Sequence, residues 1–498
     1  MGTVITLDGR ARPVRRVLLV EANNMSKWVG STMPYEVHIP PLGLMYVAAS
    51  ARQAHPEIEF RIVESSLPHL SSERLAKLLD EFQPDVVGIR SIAFFLEEMQ
   101  RIATAVKAWG NALLVAGGPV VQAYKARLFD QVPELDLAVK GEGERVFSDL
   151  LGGASPEQLS GVLYRANGGV TENPDSPEIG DIDGLPFPAY DLIDLDLYAR
   201  QLSYTYNHRR QGILLTSRGC VYHCTYCFTH WKNVRLRSAA GVFAEIEYLY
   251  TRHQIRDFYV VDDIFNVNVN VKRALDIFDR ILAAGFRLRL YFVNGLRADL
   301  ATREFVDRAI AAGAIWFTYA VESGAEEIQR YIRKNLNLDK ARDIIAYTQR
   351  QPVVVNISTM FGFPTETPAQ AQRTLDYLGE LPKPSLLPYH FCLRFFPGCE
   401  INQQAIDAGW APELLEATSR FSYNDLPMGT PTLPRSEMYR VLLEYHSRFG
   451  ASNPAALDGA VRTLEAVGYR EEEILHMYSV LKRKIIHDVG ELKLAAGT

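Results

Sequence analysis

Residues 217–233 read SRGCVYHCTYCFTHWKN. Cys220, Cys224 and Cys227 form a C-x3-C-x2-C array at the end of a stretch that reads as a strand, GILLTSRG. Three of the chain's five cysteines fall here and none precedes them. Such spacing offers three thiolates to one cluster and leaves a fourth metal position open. An iron–sulfur cube with an open iron can bind and reduce a ligand, which a closed four-cysteine cluster does not readily do.

Other readings compete for these residues. Structural zinc takes four closed ligands, usually as two spaced pairs, and His223 and His230 stand close enough to complete a tetrahedron. A disulfide framework suits short secreted chains, whereas 498 residues supply an ample core. Inert buried cysteines would not need so tight a spacing. The length implies two or three domains, and 47% hydrophobic with 22% charged residues is the balance of a globular protein. A net charge of −6 argues against broad nucleic-acid binding, which needs a basic field. No apolar run is long enough to span a bilayer, and the N-terminus lacks the apolar core of a signal peptide. With so few cysteines, a reducing cytoplasm is the expected compartment.

The first third alternates short apolar runs with helical patterns. RRVLLVEA, EFRIVES, DVVGIRS, ALLVAGGP and LDLAVKGEGE read as strands; LGLMYVAASARQA, SERLAKLLDEF and LEEMQRIATAVKAW read as helices. Such alternation with unbroken apolar strands marks a doubly wound parallel sheet, whose ligands sit beyond the carboxyl ends of the strands. Those ends carry Ser91, the pair Gly117–Gly118, and Gly141 with Gly143. Glycine there lets a ligand approach the backbone, although any such sheet needs glycine at its turns. No G-x-G-x-x-G opens the first helix, which counts against a dinucleotide.

Residues 152–205 are rich in Gly, Pro, Asp and Asn and read as a connector. A second β/α series then begins near His208, and its run of units suits a partial barrel. Asp262, Asp263, Asn294, Glu322 and Ser358 fall at or near its strand ends, where acids also commonly cap the following helix. Tyr204, Tyr206 and His208 stand shortly before the cysteines as possible cavity residues. Cys392 and Cys399 lie in FCLRFFPGCE and read first as small buried hydrophobes. From about residue 400 onward, amphipathic helices carry no motif.

Tyr226, just before the last cysteine, sharpens the array to C-x3-C-x-aromatic-C, which resembles the radical S-adenosylmethionine (SAM) superfamily. The stretch PPLGLMYVAA, the pair GG-P and the string GEGE make the first third similar to the cobalamin-binding domain of cobalamin-dependent members of that family; LPFPAYD is similar to their connector. The chain departs from other cobalamin proteins after its first strand, where EANNMSKWVG replaces the D-x-H-x-x-G that carries a cobalt-ligating histidine. The resemblance implies a Rossmann-like cobalamin-binding domain over 1–151, a connector over 152–205, a radical SAM partial (β/α)6 barrel over 206–400 and a helical region over 401–498.

It also implies roles. The three cysteines hold a [4Fe-4S] cluster whose open iron chelates the methionine moiety of SAM. Asp262 and Asp263 stand where family members bind its amino group, and Glu322 matches the carboxylate on the ribose. Tyr226 and the FGFPTE turn with Gly362 and Pro364 meet the adenine, with Glu366 supporting that turn; Asn294 and Ser358 are further candidates. Ser91, Gly117 and Gly118 match residues flanking the cobalamin tail, and Gly141 and Gly143 extend that edge. No side chain is assigned as catalytic. The implied activity is methylation of an unactivated carbon of a small molecule through a 5′-deoxyadenosyl radical and methylcobalamin, with a reduced flavodoxin or ferredoxin-type donor as partner. The alternative within the family is a cyclase or rearrangement enzyme that moves no methyl. An RNA methylthiotransferase would carry a second cysteine trio near its N-terminus, and this chain has none there. Outside the family, an iron–sulfur electron carrier or a zinc-stabilised scaffold remains open.

Overall fold

The computed structural model describes residues 4–7, 10–23, 38–67, 70–166, 168–201, 203, 205, 207–228, 231, 233–267, 271–383, 390–419, 429–449 and 453–479. Two compact units divide the chain, one built mainly from residues 40–197 and the other mainly from 198–395 and 399–498.

In the first unit, β1 (Val4–Leu7) and β2 (Arg10–Pro13) form a small hairpin. The main sheet holds β3 (Arg16–Glu21), β4 (Glu59–Glu64), β5 (Val86–Arg90), β6 (Leu113–Gly117), β7 (Leu137–Val139), β8 (Val162–Ala166) and β9 (Gly169–Glu172). Its order is β4-β3-β5-β6-β7-β8-β9, parallel through β7 and antiparallel after it. Side chains alternate across the sheet as the pleat requires. Leu18 and Val20 join one fully buried cluster with helices α2 (Ser72–Phe82) and α3 (Leu96–Trp109). On the other face α1 (Leu42–Ala54) packs against α6 (Gly143–Leu151), and Leu19 with Phe147 fills the space above Gly88. Short helices α4 (Pro119–Tyr124) and α5 (Leu128–Gln131) complete the set. Chain order reverses between β3 and β5, so the crevice at their carboxyl ends is the topological switch point.

Strands β8 and β9 lie inside the stretch expected to be an irregular connector. VLYRA has strand composition and pairs with GVTE to extend the sheet, while the surrounding Gly, Pro and Asp hid it. Beyond it, α7 (Leu195–Ala199) closes the unit's run.

The second unit contains β10 (Gln211–Leu214), β11 (Ser217–Arg218), β12 (Arg235–Leu236), β13 (Asp257–Val260), β14 (Arg289–Leu296), β15 (Ala314–Glu322), β16 (Val354–Phe361) and β17 (His390–Cys392). Six of them form an all-parallel sheet in the order β10-β13-β14-β15-β16-β17. Helices α8 (Ala239–Arg252), α9 (Val271–Ala283), α10 (Arg303–Ala311), α11 (Glu326–Tyr331), α12 (Leu338–Gln349) and α13 (Pro368–Gly379) make the crossovers. This is the β/α succession of a partial barrel. Local chemistry starts the helices: Ser238, Thr302, Asn337 and Thr367 each accept a backbone N–H at the N-cap of α8, α10, α12 and α13. The C-terminal region holds α14 (Glu400–Asp407), α15 (Pro412–Ser419), α16 (Arg435–Phe449), α17 (Pro454–Ala466) and helical residues 471–479. Among the described residues no helix is long and apolar enough to cross a membrane.

Candidate active site

The cysteine loop is closed at its base by the antiparallel pair β11–β12, with Ser217 opposite Leu236 and Arg218 opposite Arg235. Gly219 opens the loop at φ +86°, and a Cβ there would run into the carbonyl of Asn233. At the middle, the Thr225 N–H donates to the Ile332 carbonyl at 3.1 Å, and the Thr225 carbonyl accepts from the Ile401 N–H at 2.9 Å. The Cys227 N–H turns back onto the Cys224 carbonyl at 3.0 Å. Backbone bonds, not side-chain packing, therefore fix where the sulfurs emerge.

Burial raises the pKa of all three thiols, and their neighbours' negative charge adds to it; Cys227 is pushed up to about 12. Metal binding removes those protons, and thiolates brought this close need cations between them. Among the described residues no three His, Cys, Asp or Glu side chains converge on one metal-ion position. A cube asks for something else, one thiolate on each of three irons, and three coupled thiols on one loop fit it. His223 is exposed, and His230 lies outside the described residues.

Around the loop, the strand ends supply a polar cradle. Glu322 closes β15 at φ +66°, a left-handed conformation that costs a non-glycine residue free energy, and it sits where the β15–β16 register shifts. Its carboxylate is buried. Oε1 accepts from Tyr226 Oη at 3.2 Å and from Lys334 Nζ at 3.0 Å, while Oε2 lies 3.5 Å from Ser358 Oγ. Burial, then the Glu322 charge, raises the Tyr226 phenol well above its usual range, so Tyr226 stays a donor. The Tyr226 ring meets Phe363 edge-on at 6.2 Å. Gly362 has φ +89°, and the Gly362 N–H donates to Glu366 Oε2 at 2.6 Å, with the Phe363 N–H at 3.4 Å. Glu366 thus holds the turn that bears Phe363. Residues near α16 reach the same turn: Thr432 Oγ1 donates to the Pro364 carbonyl at 3.1 Å, and a Cβ on Gly362 would lie 3.1 Å from Met438 Cε.

The acid pair divides. Asp262 is buried with its carboxylate spent on Thr216 N at 2.6 Å, Thr216 Oγ1 at 2.5 Å and Ser217 Oγ at 2.6 Å. It braces the strand leading to the cysteines and has no oxygen left over for the amino group expected there. Asp263 is exposed, accepts the Gly219 N–H and is felt electrostatically by Cys220 and Cys227. The chain bends at Asp263, just past the end of β13, which the linear pair conceals. Asn294 donates to the Val261 carbonyl at 2.7 Å and so secures the same strand exit.

Three other expectations change or gain detail. Ser203, Thr205 and residues 207–209 lie at the amino-terminal end of the sheet, opposite the cysteine loop. Thr205 and Asn207 bond Tyr259, and Arg209 pairs with Asp257 at the start of β13 and with Glu473 at 2.7 Å. His208 packs there on His476 at 5.4 Å, because β10 must be traversed before the cysteines are reached; Tyr204 and Tyr206 lie outside the described residues. Cys399 is buried at the N-cap of α14 and close enough to Cys227 to affect its proton. Cys392 ends β17.

Sequence reading missed Lys334 and Arg297. The Arg297 guanidinium lies 4.0 Å from the Tyr222 ring centre and holds the Lys334 and Asn335 carbonyls at 2.7 and 2.9 Å. In RKNLN a lysine reads as surface, and nothing local marks it as Glu322's partner.

In the first unit, Ser91 is fully buried and its hydroxyl donates to the Ala22 carbonyl at 3.2 Å and the Ile92 carbonyl at 3.1 Å. Gly118 (φ +85°) has no room for a Cβ, which would lie 2.7 Å from Arg90 Cγ and 2.9 Å from the Ser91 carbonyl. Gly117 and Gly141 differ: a Cβ on either would meet nothing within 4 Å. Gly143 starts α6, with Val47 at 3.3 Å from such a Cβ. Open space beside Gly117 and Gly141, at the ends of adjacent strands, fits a flat ligand laid against the backbone.

The sequence profile of the B12 binding domain matches residues 29–151, and that of the radical SAM superfamily matches residues 214–378. An uncharacterized methyltransferase of Pyrococcus horikoshii is 30% identical over 352 residues, which cover 69% of this chain and 73% of the relative. Cytidylyl-2-hydroxyethylphosphonate methyltransferase of Streptomyces wedmorensis is 27% identical over 476 residues, covering 84% of this chain and 87% of the relative. The solved structure of the radical S-adenosylmethionine methyltransferase TsrM from Kitasatospora setae, with tryptophan and a SAM analogue bound, shares the fold at TM-score 0.64 and 19% identity, over 79% of this chain and 75% of that one. A three-cysteine loop on a β/α partial barrel, in one chain with a switch-point sheet, defines a radical SAM enzyme. The chain belongs to the cobalamin-dependent radical SAM family, and its cofactors are a [4Fe-4S] cluster, SAM and cobalamin.

Proposed function

We propose that the protein methylates an unactivated carbon of a small-molecule intermediate. The bound cofactors supply a 5′-deoxyadenosyl radical and a methyl group, chemistry that no side chain provides. The chain's own task is to hold SAM against the cysteine loop, keep water out and present one carbon. The observation that carries the reading is Glu322: one carboxylate, in a strained conformation, joins the cysteine loop through Tyr226 to the ends of β15 and β16.

In this reading Glu322 accepts from the ribose hydroxyls while Lys334 Nζ, at 3.0 Å from its Oε1, holds the carboxylate in place. Tyr226, Phe363 and the Gly362 backbone bound the adenine, and Glu366 fixes that backbone. Asp263 and Ser358 lie at the rim, Asp262 and Asn294 behind it. Cys220, Cys224 and Cys227 ligate the cluster, and Gly117, Gly118, Gly141 and Gly143 with Ser91 border the corrinoid. A flavodoxin- or ferredoxin-type protein supplies the electron, in the cytoplasm. Two relatives named as methyltransferases, one acting on a cytidylyl phosphonate, support methyl transfer to a small molecule. A cyclase reading has its own support, since relatives at 22–24% identity are anaerobic magnesium-protoporphyrin IX monomethyl ester cyclases.

Anaerobic reconstitution with iron, sulfide, cobalamin, SAM and dithionite tests both. Release of 5′-deoxyadenosine with a product heavier by one methylene is expected. An unmethylated product formed with SAM turnover moves the protein to the cyclase reading, and no 5′-deoxyadenosine sinks the radical one.

A further inference from the structure

The switch point of the first sheet contains buried acceptors with no hydrogen-bond partner among the described residues. Glu21 ends β3, and its Oε1 is paired with Arg90 Nη1 at the end of β5, while Glu21 Oε2 is buried without a hydrogen-bond partner. Asn23, two residues on, is fixed on three sides: its N–H donates to Ser65 Oγ at 2.9 Å, its carbonyl accepts from Ser65 Oγ at 2.7 Å, and its Nδ2 donates to Glu64 Oε1 at 3.1 Å. Its Oδ1 is buried and unpartnered too.

Leaving a buried acceptor without a donor costs free energy, and more so for a charged group. Burial without a partner for Oε2, with Glu64 nearby, raises the Glu21 carboxyl to about 7 despite Arg90. The arrangement is also built. Glycines at 43 and 118 flank the Arg90 side chain, where a Cβ would lie 3.2 Å from Nε and 2.7 Å from Cγ. Arg90 therefore stands fixed on Glu21, with its side chain 30% exposed. An occupant of this edge must donate to Glu21 Oε2 and Asn23 Oδ1 and can accept from the guanidinium. Primary carboxamides do both, and a corrin ring is fringed with them.

We propose that Glu21, Asn23 and Arg90 form a carboxamide-reading site for the corrin periphery. Glu21 and Asn23 accept amide N–H groups, and Arg90 donates to an amide carbonyl. The site selects corrins by their amides and is indifferent to the nucleotide tail. It rests on cobalamin being this sheet's ligand.

The test uses the full-length protein and equilibrium titration by corrinoid absorbance and tryptophan quenching, with hydroxocobalamin, cobinamide and heptamethyl cobyrinate, an ester-fringed corrin that accepts but cannot donate. Glu21→Gln and Asn23→Ala are each expected to weaken hydroxocobalamin and cobinamide by the same factor, about tenfold. Wild-type protein, whose fold is not in question, should bind the ester at least about tenfold more weakly than cobinamide. Ester binding equal to cobinamide, or folded variants with wild-type affinity, overturns the proposal; so does a loss confined to hydroxocobalamin, which would place the contact on the tail. Wild-type protein that binds no corrinoid overturns the cobalamin assignment along with it.

Discussion

The carboxyl edges of the two sheets solve the problem of holding a cofactor in opposite ways. At the edge of the second, most polar groups satisfy one another: Glu322 is paired with Lys334 and Tyr226 and Asp262 with Thr216 and Ser217, while Glu366 gives one oxygen to two backbone N–H groups and keeps the other without a partner among the described residues. At the edge of the first, two acceptors are unpartnered among the described residues and two glycines face open space. One edge is pre-organised around its own charges, and the other is shaped for an occupant that completes it. A charged, chelated cofactor suits the former, since fixed dipoles need no rearrangement when it arrives. A large neutral ring with many amides suits the latter.

The harshest way to break the second edge is Cys224→Ala. It should abolish cluster assembly, seen as loss of the iron–sulfur absorption and electron paramagnetic resonance signals, and drop 5′-deoxyadenosine formation below detection while corrinoid affinity stays at the wild-type value. A cluster of full occupancy in that variant would end the ligand assignment. Glu322→Gln should follow in size. It strands Lys334, which is buried, at a cost of about 3 kcal/mol, and should weaken SAM binding about tenfold. Adding Lys334→Met should restore the unfolding midpoint and leave SAM binding weak. Recovery of both would make the pair structural only.

How far the sequence showed this contrast depends on the range of the interactions. SERLAKLLDEF and LEEMQRIATAVKAW form α2 and α3 over the same residues, because apolar spacing and a serine cap are local signals. The cysteine loop was legible for the same reason. Lys334 was not, since its partner is twelve residues back at the end of β15, with α11 between them. Nor could a linear DD show that Asp262 turns inward and Asp263 outward. The hairpin β8–β9 was hidden by the composition around it. At the switch point, EAN reads as a strand running into a loop, and only the missing partners give Glu21 and Asn23 meaning.

The first edge can be dissected with adjacent glycines. Gly118 occupies φ +85°, ψ −174°, a region open almost solely to glycine, and its Cβ would also strike Arg90 and the Ser91 carbonyl. Gly118→Ala should lower unfolding stability by about 2 kcal/mol or more. Gly117→Ala has free space, so its unfolding midpoint should stay within about 0.5 kcal/mol of wild type while its corrinoid dissociation constant rises. Equal corrinoid affinity in Gly117→Ala would mean the open space is not where the ring lies.

The smallest effect lies in pH and concerns a group that the second edge leaves half satisfied. Glu366 is fully buried; Oε2 takes both N–H groups and Oε1 has no partner. Burial outweighs those two bonds and raises its pKa to about 8, against an ordinary value of 4.5. Between those values the unfolded chain loses a proton that the folded chain keeps, so the folded state binds more protons and stability falls as pH rises. The loss should start near pH 4.5 and level off above about 8, the reverse of what a salt-bridged carboxylate does. Glu366→Gln keeps an acceptor for Gly362 and carries no charge. Its denaturant midpoint should change less between pH 5 and 8.5, by about 1 kcal/mol or more relative to wild type. Parallel profiles for the two proteins would show that Glu366 is already ionised in the fold, its charge carried by the Gly362 and Phe363 N–H groups.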